Sequence, residues 1–314
     1  MNDNYEKLFA VEPISLKYGE NPHQKSFCYK TEENAEFENI TGLELSHNNF
    51  LDMTCATKLA AEFFDVNAVV IVKHNTPCGV ALGKTLNEAY LKAFDTDPIS
   101  TFGATVAFSK PVDKEIAKHV SSVFLDTIIA PDFDNDALEQ LKKNESLRII
   151  KLTTPLKTIR TMQEQEIVIT PFGTLVQETD TKELDKDSFK IVSKKKATAE
   201  MIEDMVFAWK IAKHVKTNAT VVAKDFKTLS IVGGQTSRID SIETALNRVC
   251  DSTKDAIIAC DGAIPAIDSI QSAAQCRISG IIQTGGSLKD KEVISATDKY
   301  DMVMITTEIR HYKH

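Results

Sequence analysis

The chain has 314 residues, of which 42% are hydrophobic and 26% charged, and its net charge is −8. This length suits roughly two compact domains, and no apolar run approaches the roughly 18 residues that a membrane helix needs. The acidic balance disfavours a general nucleic-acid binder, although a local cationic pocket can still hold an anionic metabolite. We therefore expect a globular protein with neither a membrane nor a nucleic acid as partner.

The N-terminus and the cysteines favour a cytoplasmic protein. Residues 1–7 have neither the basic flank nor the apolar stretch of a secretory signal. The six cysteines form no C-x-x-C pair, which argues against a disulfide framework and against a zinc site. We expect most of them to be small buried hydrophobes, and we expect no metal. The cysteines are Cys28, Cys55, Cys78, Cys250, Cys260 and Cys276.

In chain order, the first strong element is the β-branched run at residues 68–72, which predicts a strand buried on both faces. Lys73 and His74 follow it, and we predict a turn at Pro77 and Gly79. Active groups in open α/β sheets gather at the carboxyl ends of strands. A cation beside a titratable base makes this pair the best catalytic candidate. The alternative is a surface lysine beside a histidine that hydrogen-bonds a loop carbonyl.

Strands and helices then alternate through the first half. Thr85 with Glu88 predicts a capped helix, followed by a strand at residues 104–108. A helix is predicted to begin near residues 111–113, and a strand covers residues 127–130. This alternation indicates an α/β fold.

A polar, lysine-containing stretch at residues 178–190 and 193–198 predicts a solvated connector. We therefore divide the chain into domains at residues 1–190 and 191–314. The second domain begins with a predicted helix at 201–214. Its predicted strands cover residues 219–223, 228–232, 257–259 and 280–282, and its predicted capping pairs are Asp240 with Glu243 and Ser287 with Asp290.

Two glycine pairs lie between predicted strands and helices of the second domain. Glycine lets the backbone approach a ligand closely, and a helix N-terminus favours an anion. Gly233 with Gly234 and Gly285 with Gly286 are therefore candidate anion sites. Neither pair matches a dinucleotide fingerprint or a P-loop, and the alternative is a tight turn that only reverses the chain.

A set of ordered motifs extends over nearly the whole chain. They cover residues 16–24, 73–79, 97–103, 130–132, 216–219, 233–238, 285–287 and 310–314. Together they resemble the formyltransferase domain of the purine-biosynthesis enzyme that formylates aminoimidazole carboxamide ribotide (AICAR transformylase), which is usually fused to IMP cyclohydrolase. Because the motifs run from near the start of the chain to its end, we expect a free-standing transformylase without cyclohydrolase activity.

The resemblance implies a fold of two cytidine-deaminase-like, three-layer α-β-α halves. It also implies a homodimer with active sites between subunits. The implied reaction transfers a formyl group from 10-formyltetrahydrofolate, the co-substrate, to the 5-amine of AICAR to give FAICAR. That amine is a poor nucleophile, so a base such as His74 must take its proton, and Lys73 can stabilise the oxyanion. Asn218 can orient the carboxamide or His74.

The resemblance also assigns binding residues. A doubly charged phosphate is well matched by arginine forks. The implied ribotide-binding residues are Lys17, Tyr18, His23, Gly103, Asp132, Arg238 and Arg310. The implied folate-binding residues are Ile239, Ala263, Asp268, Gly285 and Gly286.

The chain departs from the family pattern at three places. Lys17 stands where arginine is usual, and His47 where tyrosine is common. Residues 260–268 replace an aromatic segment that helps to bind folate in the family, and each missing ring removes roughly 1 to 3 kcal/mol of stacking. The alternative function is therefore a ribotide-binding paralogue that is non-catalytic or uses another formyl donor. A zinc deaminase is excluded on ligands, because Cys78 lacks the second cysteine of a P-C-x-x-C motif.

Overall fold

The computed structural model describes residues 11–163, 165–184 and 189–314. Residues 1–10 and residues 185–188 of the predicted connector lie outside the described residues. The chain forms two compact units, the first from Met1–Cys78 and Leu82–Ile159, and the second from Gly79–Ala81 and Arg160–His314. The predicted domains, 1–190 and 191–314, stay a prediction. In the part of the chain that is described, no helix combines the length and apolar character needed to cross a membrane.

Unit 1 carries eight strands and six helices among its described residues. Its fifth strand includes residues 79–81, which belong to unit 2, and the last two residues of its sixth helix also belong to unit 2. The strands are β1 Ile14–Ser15, β2 Phe27–Cys28, β3 Phe37–Asn39, β4 Asn67–Lys73, β5 Thr76–Gly83, β6 Thr105–Phe108, β7 Thr127–Ala130 and β8 Arg148–Leu152. The helices are α1 His47–Ala61, α2 Leu86–Phe94, α3 Pro98–Thr101, α4 Lys114–Ser121, α5 Asn135–Leu141 and α6 Leu156–Thr161.

Six of these strands lie side by side in the order β5-β4-β6-β7-β8-β3. Strands β6, β7 and β8 are parallel, whereas β4 is antiparallel to β6 and β3 is antiparallel to β8. Helix α1 packs on β4, β6 and β7. Strands β1 and β2 form a separate antiparallel pair.

The buried strand predicted at residues 68–72 is confirmed as β4, whose five central side chains have no exposed surface. The predicted turn at Pro77 and Gly79 is wrong, because both residues lie in β5. His74 and Asn75 form the turn instead, with φ angles of 54° and 56°. A two-residue turn with both φ angles positive matches the right-handed twist of a hairpin and usually favours glycine, but here a histidine and an asparagine adopt it.

Helix α1 was not predicted, because its sequence has no clear apolar period. Its start is set by a capping box, in which Ser46 and Asn49 each accept a hydrogen bond from the other's backbone N–H. The predicted cap at Thr85 is confirmed, and so is the helix start predicted near residues 111–113, where Asp113 caps a helix that begins at Lys114.

Unit 2 carries eight strands and four helices among its described residues. The strands are β9 Gln165–Thr170, β10 Gly173–Glu178, β11 Lys190–Ile191, β12 Thr220–Lys224, β13 Lys227–Val232, β14 Ile257–Cys260, β15 Gly280–Gln283 and β16 Val303–Thr306. The helices are α7 Ala199–Ala212, α8 Arg238–Asn247, α9 Ile267–Gln275 and α10 Asp290–Lys299.

Unit 2 repeats the strand arrangement of unit 1. Its six central strands have the order β13-β12-β14-β15-β16-β11. Strands β14, β15 and β16 are parallel, β12 is antiparallel to β14, and β11 is antiparallel to β16. Helix α7 packs on β12, β14 and β15, as α1 does on the corresponding strands of unit 1. The chain therefore folds twice in one topology, and this is a mixed α/β fold.

Three predictions for unit 2 need correction. Helix α8 is capped by Ser237, not by the pair Asp240 and Glu243, since the hydroxyl one residue before the helix is placed to accept the N–H of Asp240. Cys250 and Cys276 form a disulfide, although the spacing of the cysteines predicted no pairing. The bond joins the 3-10 turn at Cys250–Ser252 to the end of α9, two places that only the fold brings together.

The third correction concerns Ser287, which was predicted to cap the helix with Asp290. Helix α10 begins at Asp290 with no side-chain cap. The Asp290 carboxylate instead points back and accepts the N–H groups of Gly286 and Ser287, at 2.7 and 3.1 Å.

Candidate functional site

The turn between β4 and β5 presents the predicted Lys73 and His74. The ammonium of Lys73 donates a hydrogen bond to the carbonyl oxygen of Phe102 at 2.5 Å, while the His74 side chain is exposed. The backbone N–H of Asn75 donates to Oδ1 of Asp52 at 2.5 Å, so helix α1 fixes the turn from behind. The turn therefore holds a cation and a titratable base side by side on a rigid hairpin.

Gly103 completes this part of unit 1. Its φ of +72° favours glycine, and its N–H donates to the carbonyl of Phe124 at 2.7 Å. The rings of Phe102 and Phe124 lie 5.0 Å apart, and both side chains are exposed. Sequence reasoning missed these two rings, although the Phe-Gly pair in the motif at residues 97–103 was a signal. Together they place an apolar surface beside Lys73.

Ionisable groups behind the turn are buried to different degrees. Burial raises the pKa of the Asp52 carboxyl above its usual range, and the N–H of Asn75 and the nearby His74 oppose the rise. Burial raises the pKa of the Cys78 thiol to about 12, and the charge of Asp97 adds to the rise. Cys78 is therefore a protonated thiol at neutral pH and an unsuitable nucleophile.

The direction of β4 decides the edge of the sheet at which this turn lies. Strand β4 runs antiparallel to β6, with Val72 opposite Thr105, so β4 ends where the parallel strands of unit 1 begin. Lys73 and His74 thus lie at the carboxyl end of β4, as predicted, which is the edge where the parallel strands β6, β7 and β8 begin. Asp132 lies at the carboxyl edge of the parallel strands, just after β7. The length of β7 separates the two edges by roughly 13 Å, at about 3.3 Å per residue.

Asp132 is an exposed residue with a local partner. Its carboxylate pairs with the ammonium of Lys151 at 2.7 Å and accepts the N–H of Phe133 at 2.9 Å. The hydrogen bond from Lys151 lowers the pKa of Asp132. Unit 1 therefore does not bring Asp132 to His74.

The N-terminal motif lies at the start of α1. The ammonium of Lys17 is 6.0 Å from the centre of the Tyr18 ring, and the carbonyl of Tyr18 accepts the N–H of His47. His23 is exposed in the same loop. Nδ1 of His47 lies 2.9 Å from Oγ of Ser26, which gives this departure from the family pattern a local hydrogen bond.

In unit 2, Asn218 lies just before β12, in the left-handed region with φ 55°. Its side-chain amide donates to the carbonyl of Gln235 at 2.8 Å, and its own carbonyl accepts the hydroxyl of Ser241 at 2.5 Å. Because Thr220 pairs with Cys260, the start of β12 lies at the carboxyl edge of the parallel strands. Asn218 is thus fixed at the edge where α/β proteins usually bind ligands.

Arg238 is buried at the same edge. One terminal nitrogen lies 2.7 Å from Oδ1 of Asp261, and the other donates to the carbonyl of Ala219 at 2.7 Å. Burial raises the pKa of the Asp261 carboxyl, and the charge of Arg238 opposes that rise. Gly262 is packed so closely that a Cβ would lie 2.6 Å from the Tyr312 ring and 2.8 Å from Arg238. Arg238 therefore has an internal partner before any phosphate arrives.

The two glycine turns use their N–H groups internally. Gly234 donates to the carbonyl of Thr217 at 3.0 Å. Gly233 is required by packing, because a Cβ there would lie 2.4 Å from Val215. Gly285 and Gly286 have φ angles of 73° and 88°, and the Asp290 carboxylate occupies the N–H of Gly286. An incoming anion at this second turn would have to displace Asp290.

Gln283 was missed by the sequence analysis, and it joins two of the predicted folate segments. It is buried at the end of β15, where its Oε1 accepts the N–H of Ile264 at 2.9 Å and lies 3.4 Å from the N of Gly285. The signal was a polar side chain at the end of an apolar strand. Next to these segments, Ile239 and Ala263 are half-buried, whereas Asp268 is exposed in the first turn of α9.

The C-terminal motif packs on the same region of unit 2. The guanidinium of the exposed Arg310 lies 4.4 Å from the centre of the Tyr312 ring. His311 is buried, contacts Trp209 edge to face, and pairs through Nδ1 with the carboxylate of Asp180. The backbone N–H of His311 donates to the backbone carbonyl of Asp261.

Unit 1 thus brings together Lys73, His74 and Gly103, and unit 2 brings together Asn218, Arg238, Ala263, Gly285 and Gly286 at one edge. Over the ranges that the structure describes, no group of three or more His, Cys, Asp or Glu side chains is placed to hold a metal ion.

Comparisons with known proteins agree with the motifs. The family model described as AICARFT/IMPCHase bienzyme matches residues 3–248. The bifunctional purine biosynthesis protein PurH of Caldicellulosiruptor saccharolyticus is 44% identical over 306 residues, which cover 95% of this chain and 59% of the relative. The PurH of Aquifex aeolicus is 41% identical over 329 residues, which cover 99% of this chain and 63% of the relative. The chain therefore spans about 60% of the length of these relatives.

A solved structure of Acinetobacter baumannii RibD has 12% sequence identity and a TM-score of 0.26, and it covers 82% of this chain and 74% of that one. A likeness at this level supports no argument about fold or function.

Proposed function

This chain belongs to the AICARFT/IMPCHase bienzyme family, and from that membership we propose that it is an AICAR formyltransferase of purine biosynthesis. It transfers the formyl group of 10-formyltetrahydrofolate to the 5-amine of AICAR and releases FAICAR. The observation that carries the proposal is the exposed His74 beside Lys73 on a turn that Asp52 holds. Because the chain spans about 60% of its relatives' length, the proposal is limited to formyl transfer.

In the proposed reaction, the nitrogen of the 5-amine attacks the formyl carbon, and His74 takes a proton from that amine. The carbonyl oxygen becomes an oxyanion. The tetrahedral intermediate then collapses as the bond between the formyl carbon and the folate nitrogen breaks, the proton that His74 took passes to that nitrogen, and tetrahydrofolate leaves. Lys73 is the cation that stabilises this oxyanion, and its hydrogen bond to the Phe102 carbonyl fixes the position of its ammonium. Asn218 orients the carboxamide. Positioning of the two reactants supplies much of the rate.

For the ribotide, we propose the residues that the resemblance assigns: Lys17, Tyr18, His23, Gly103, Asp132, Arg238 and Arg310. Arg310 suits phosphate because its guanidinium is exposed and lies over the Tyr312 ring, and a guanidinium can bind a phosphate through two N–H groups. Arg238 can reach a phosphate only if it exchanges or shares its contact with Asp261.

For the folate, we propose Ile239, Ala263, Asp268, Gly285 and Gly286. The alternative function is a ribotide-binding paralogue that is non-catalytic or takes its formyl group from another donor. The observation that favours it is the absence of aromatic side chains from residues 260–268, where family members stack on folate. Weak binding of 10-formyltetrahydrofolate is therefore an expectation of both functions, and turnover distinguishes them.

We also propose that the chain acts as a homodimer, located in the cytoplasm and without nucleic-acid or membrane partners. Strands β9 and β10 form a two-stranded hairpin whose apolar side chains are exposed, with Ile169 at 74% and Phe172 at 100%. An isolated hairpin is marginally stable in water, so this one suits a partner surface. Residues 163–181 contain no lysine or arginine, so this hairpin lacks the positive charge that binding to a nucleic acid or an anionic membrane needs. Sedimentation of the chain and of Phe172→Asp tests this part.

The test of the proposed function is formyl transfer by the purified chain with AICAR and 10-formyltetrahydrofolate, alongside calorimetry with AICAR alone. Turnover to FAICAR is the expected result. AICAR binding without turnover would favour the alternative function, and a second assay with other formyl donors would then identify the donor. Loss of both binding and turnover in a folded chain would refute the proposal and its alternative together.

A further inference from the structure

Each unit holds one β-hairpin turn with an aspartate from the preceding helix. Asp52 is the sixth residue of α1, and Asp204 is the sixth residue of α7. Oδ1 of Asp52 accepts the N–H of Asn75. The carboxylate of Asp204 accepts the N–H groups of Asp225 and Phe226, at 2.9 and 2.8 Å.

The two turns also share a backbone conformation. Asp225 and Phe226 have φ angles of 52° and 55°, close to the 54° and 56° of His74 and Asn75. Neither turn contains glycine, and the left-handed region is unfavourable for other residues. A hydrogen bond from a packed helix to the turn N–H stabilises this conformation, and it does so at the same place in both units.

We propose that Asp52 is a positioning residue for formyl transfer: it locks the hairpin turn that presents Lys73 and His74 to the substrate. This inference rests on the proposed function, since it assigns a purpose to the rigidity of that turn. Asp52 touches neither substrate. It acts through the backbone of Asn75, which follows His74 directly.

Other polar groups pack near Asp52 and are themselves hydrogen-bonded or ion-paired. The carboxylate of Asp126 lies near Asp52 and is itself held by Asn49 at 2.7 Å and by Arg148 at 2.8 Å. Burial raises the pKa of Asp52, whereas the Asn75 N–H favours its ionised form. Asn49 and Asp52 both come from α1, so one helix carries two supports of this edge.

Unit 2 supplies a matched control for the test. Removal of Asp204 loosens the same kind of turn, but Asp225 and Phe226 have no proposed role in catalysis. A purely structural role for both aspartates predicts that Asp52→Ala and Asp204→Ala behave alike. A positioning role predicts that only Asp52→Ala loses the reaction.

The experiment measures kcat, KM for AICAR and the unfolding midpoint for Asp52→Ala, Asp52→Asn and Asp204→Ala. We expect kcat to fall about 10- to 100-fold in Asp52→Ala, because small misplacements of a catalytic group have effects of this size. The KM for AICAR should stay within about twofold. Asp52→Asn keeps an acceptor oxygen and should recover most of kcat, and Asp204→Ala should lose stability without losing kcat.

A folded Asp52→Ala variant with the wild-type kcat would overturn the inference, as would an equal loss of kcat in Asp204→Ala. If Asp52→Ala does not fold, Asp52→Glu carries the test, since it keeps the charge but moves the oxygen by one methylene. An unchanged kcat in that variant would also overturn it.

Failure of the proposed function can be distinguished from failure of this inference, because the wild-type chain itself would then show no turnover. Hydrogen exchange at residues 73–76 then decides the inference, because it does not depend on activity. Faster exchange in Asp52→Ala would support the lock, and unchanged exchange would overturn it.

Discussion

The two units of this chain build the same hairpin and hold its turn in the same way, but they place different side chains on it. In unit 1 the turn follows Lys73 and carries His74, whereas in unit 2 it follows Lys224 and carries Asp225. The shared topology therefore supplies a rigid presentation site twice. What differs is the chemistry of the residues that occupy it, so fold alone does not locate function.

The units also differ in the edge that carries their candidate groups. Lys73 and His74 lie where the parallel strands of unit 1 begin, while Asn218 and Arg238 lie at the carboxyl edge of the parallel strands of unit 2. The carboxyl edges of the two units also differ in how deeply their ion pairs are buried. The ion pair at the carboxyl edge of unit 2 is enclosed, whereas the corresponding edge of unit 1 carries the exposed Asp132 and its half-buried partner Lys151.

The largest effect should come from breaking the enclosed pair. Asp261→Ala leaves the Arg238 guanidinium buried without its counter-charge, and we expect the free energy of unfolding to fall by about 3 to 5 kcal/mol. Urea denaturation measures it. Asp132→Ala is the matched control in unit 1 and should leave the midpoint almost unchanged, because the Asp132 carboxylate is exposed and solvent screens its ion pair. Equal losses in the two variants would contradict the difference between the units.

The disulfide is a second asymmetry, since the described residues of unit 1 contain none. Removal of the cross-link between Cys250 and Cys276 in a double serine variant should lower the free energy of unfolding by about 2 to 4 kcal/mol. Dithiothreitol should do the same to the wild-type chain and nothing further to the variant. Mass spectrometry of the unreduced chain that finds Cys250 and Cys276 as free thiols, in addition to the four cysteines that are free in the structure, would refute the cross-link.

Gln283 gives a smaller and more local comparison, because the corresponding strand of unit 1 ends in the buried Ala130. Gln283→Ala makes the two strand ends alike and removes the acceptor for Ile264. The free energy of unfolding should fall by about 1 to 3 kcal/mol. The KM for 10-formyltetrahydrofolate should rise while the KM for AICAR stays unchanged. A rise in the KM for AICAR alone would contradict the proposal that Gln283 supports the folate-binding segments.

The smallest effect is a pH dependence with opposite signs in the two units. The pKa of Asp180 lies below its usual value, because the hydrogen bond and charge of His311 outweigh the effect of burial. Its stabilising contribution is present above the unfolded-state pKa of 3.8 and is lost as pH falls through the folded pKa. We expect at most about 1 kcal/mol, because solvent screens this half-exposed carboxylate.

Asp52 should behave in the opposite way. Burial raises its folded pKa, so its favourable contribution is present below 3.8 and is lost as pH rises through the folded pKa. Urea denaturation of Asp180→Asn, Asp52→Asn and the wild-type chain between pH 3 and 7 measures both. Parallel pH profiles for the two variants would contradict the assigned shifts.

The sequence predicted the parts of this fold that depend on local burial. The runs at residues 68–72, 127–130 and 257–259 are apolar and β-branched, and each is a buried strand. The motif around Lys73 and His74 was also readable, because it is contiguous in the chain.

The contacts that organise the candidate groups were not predictable, because their partners are distant in sequence. Asp52 and Asn75 are joined only when α1 packs behind the hairpin, and Arg238 meets Asp261 only at the edge of the folded sheet. The direction of β4 could not be predicted for the same reason. A buried strand has the same composition whether it runs parallel or antiparallel to its neighbours, so the edge on which His74 emerges depends on tertiary structure.

The most direct test of the account is the rate of formyl transfer by His74→Ala at saturating AICAR and 10-formyltetrahydrofolate, with AICAR affinity measured by calorimetry on the same sample. Loss of a general base predicts a fall in kcat of about 10²- to 10⁴-fold, with AICAR affinity within about twofold of the wild-type chain. A variant that binds AICAR and turns over at close to the wild-type rate would contradict the assignment of the chemistry to the turn of unit 1.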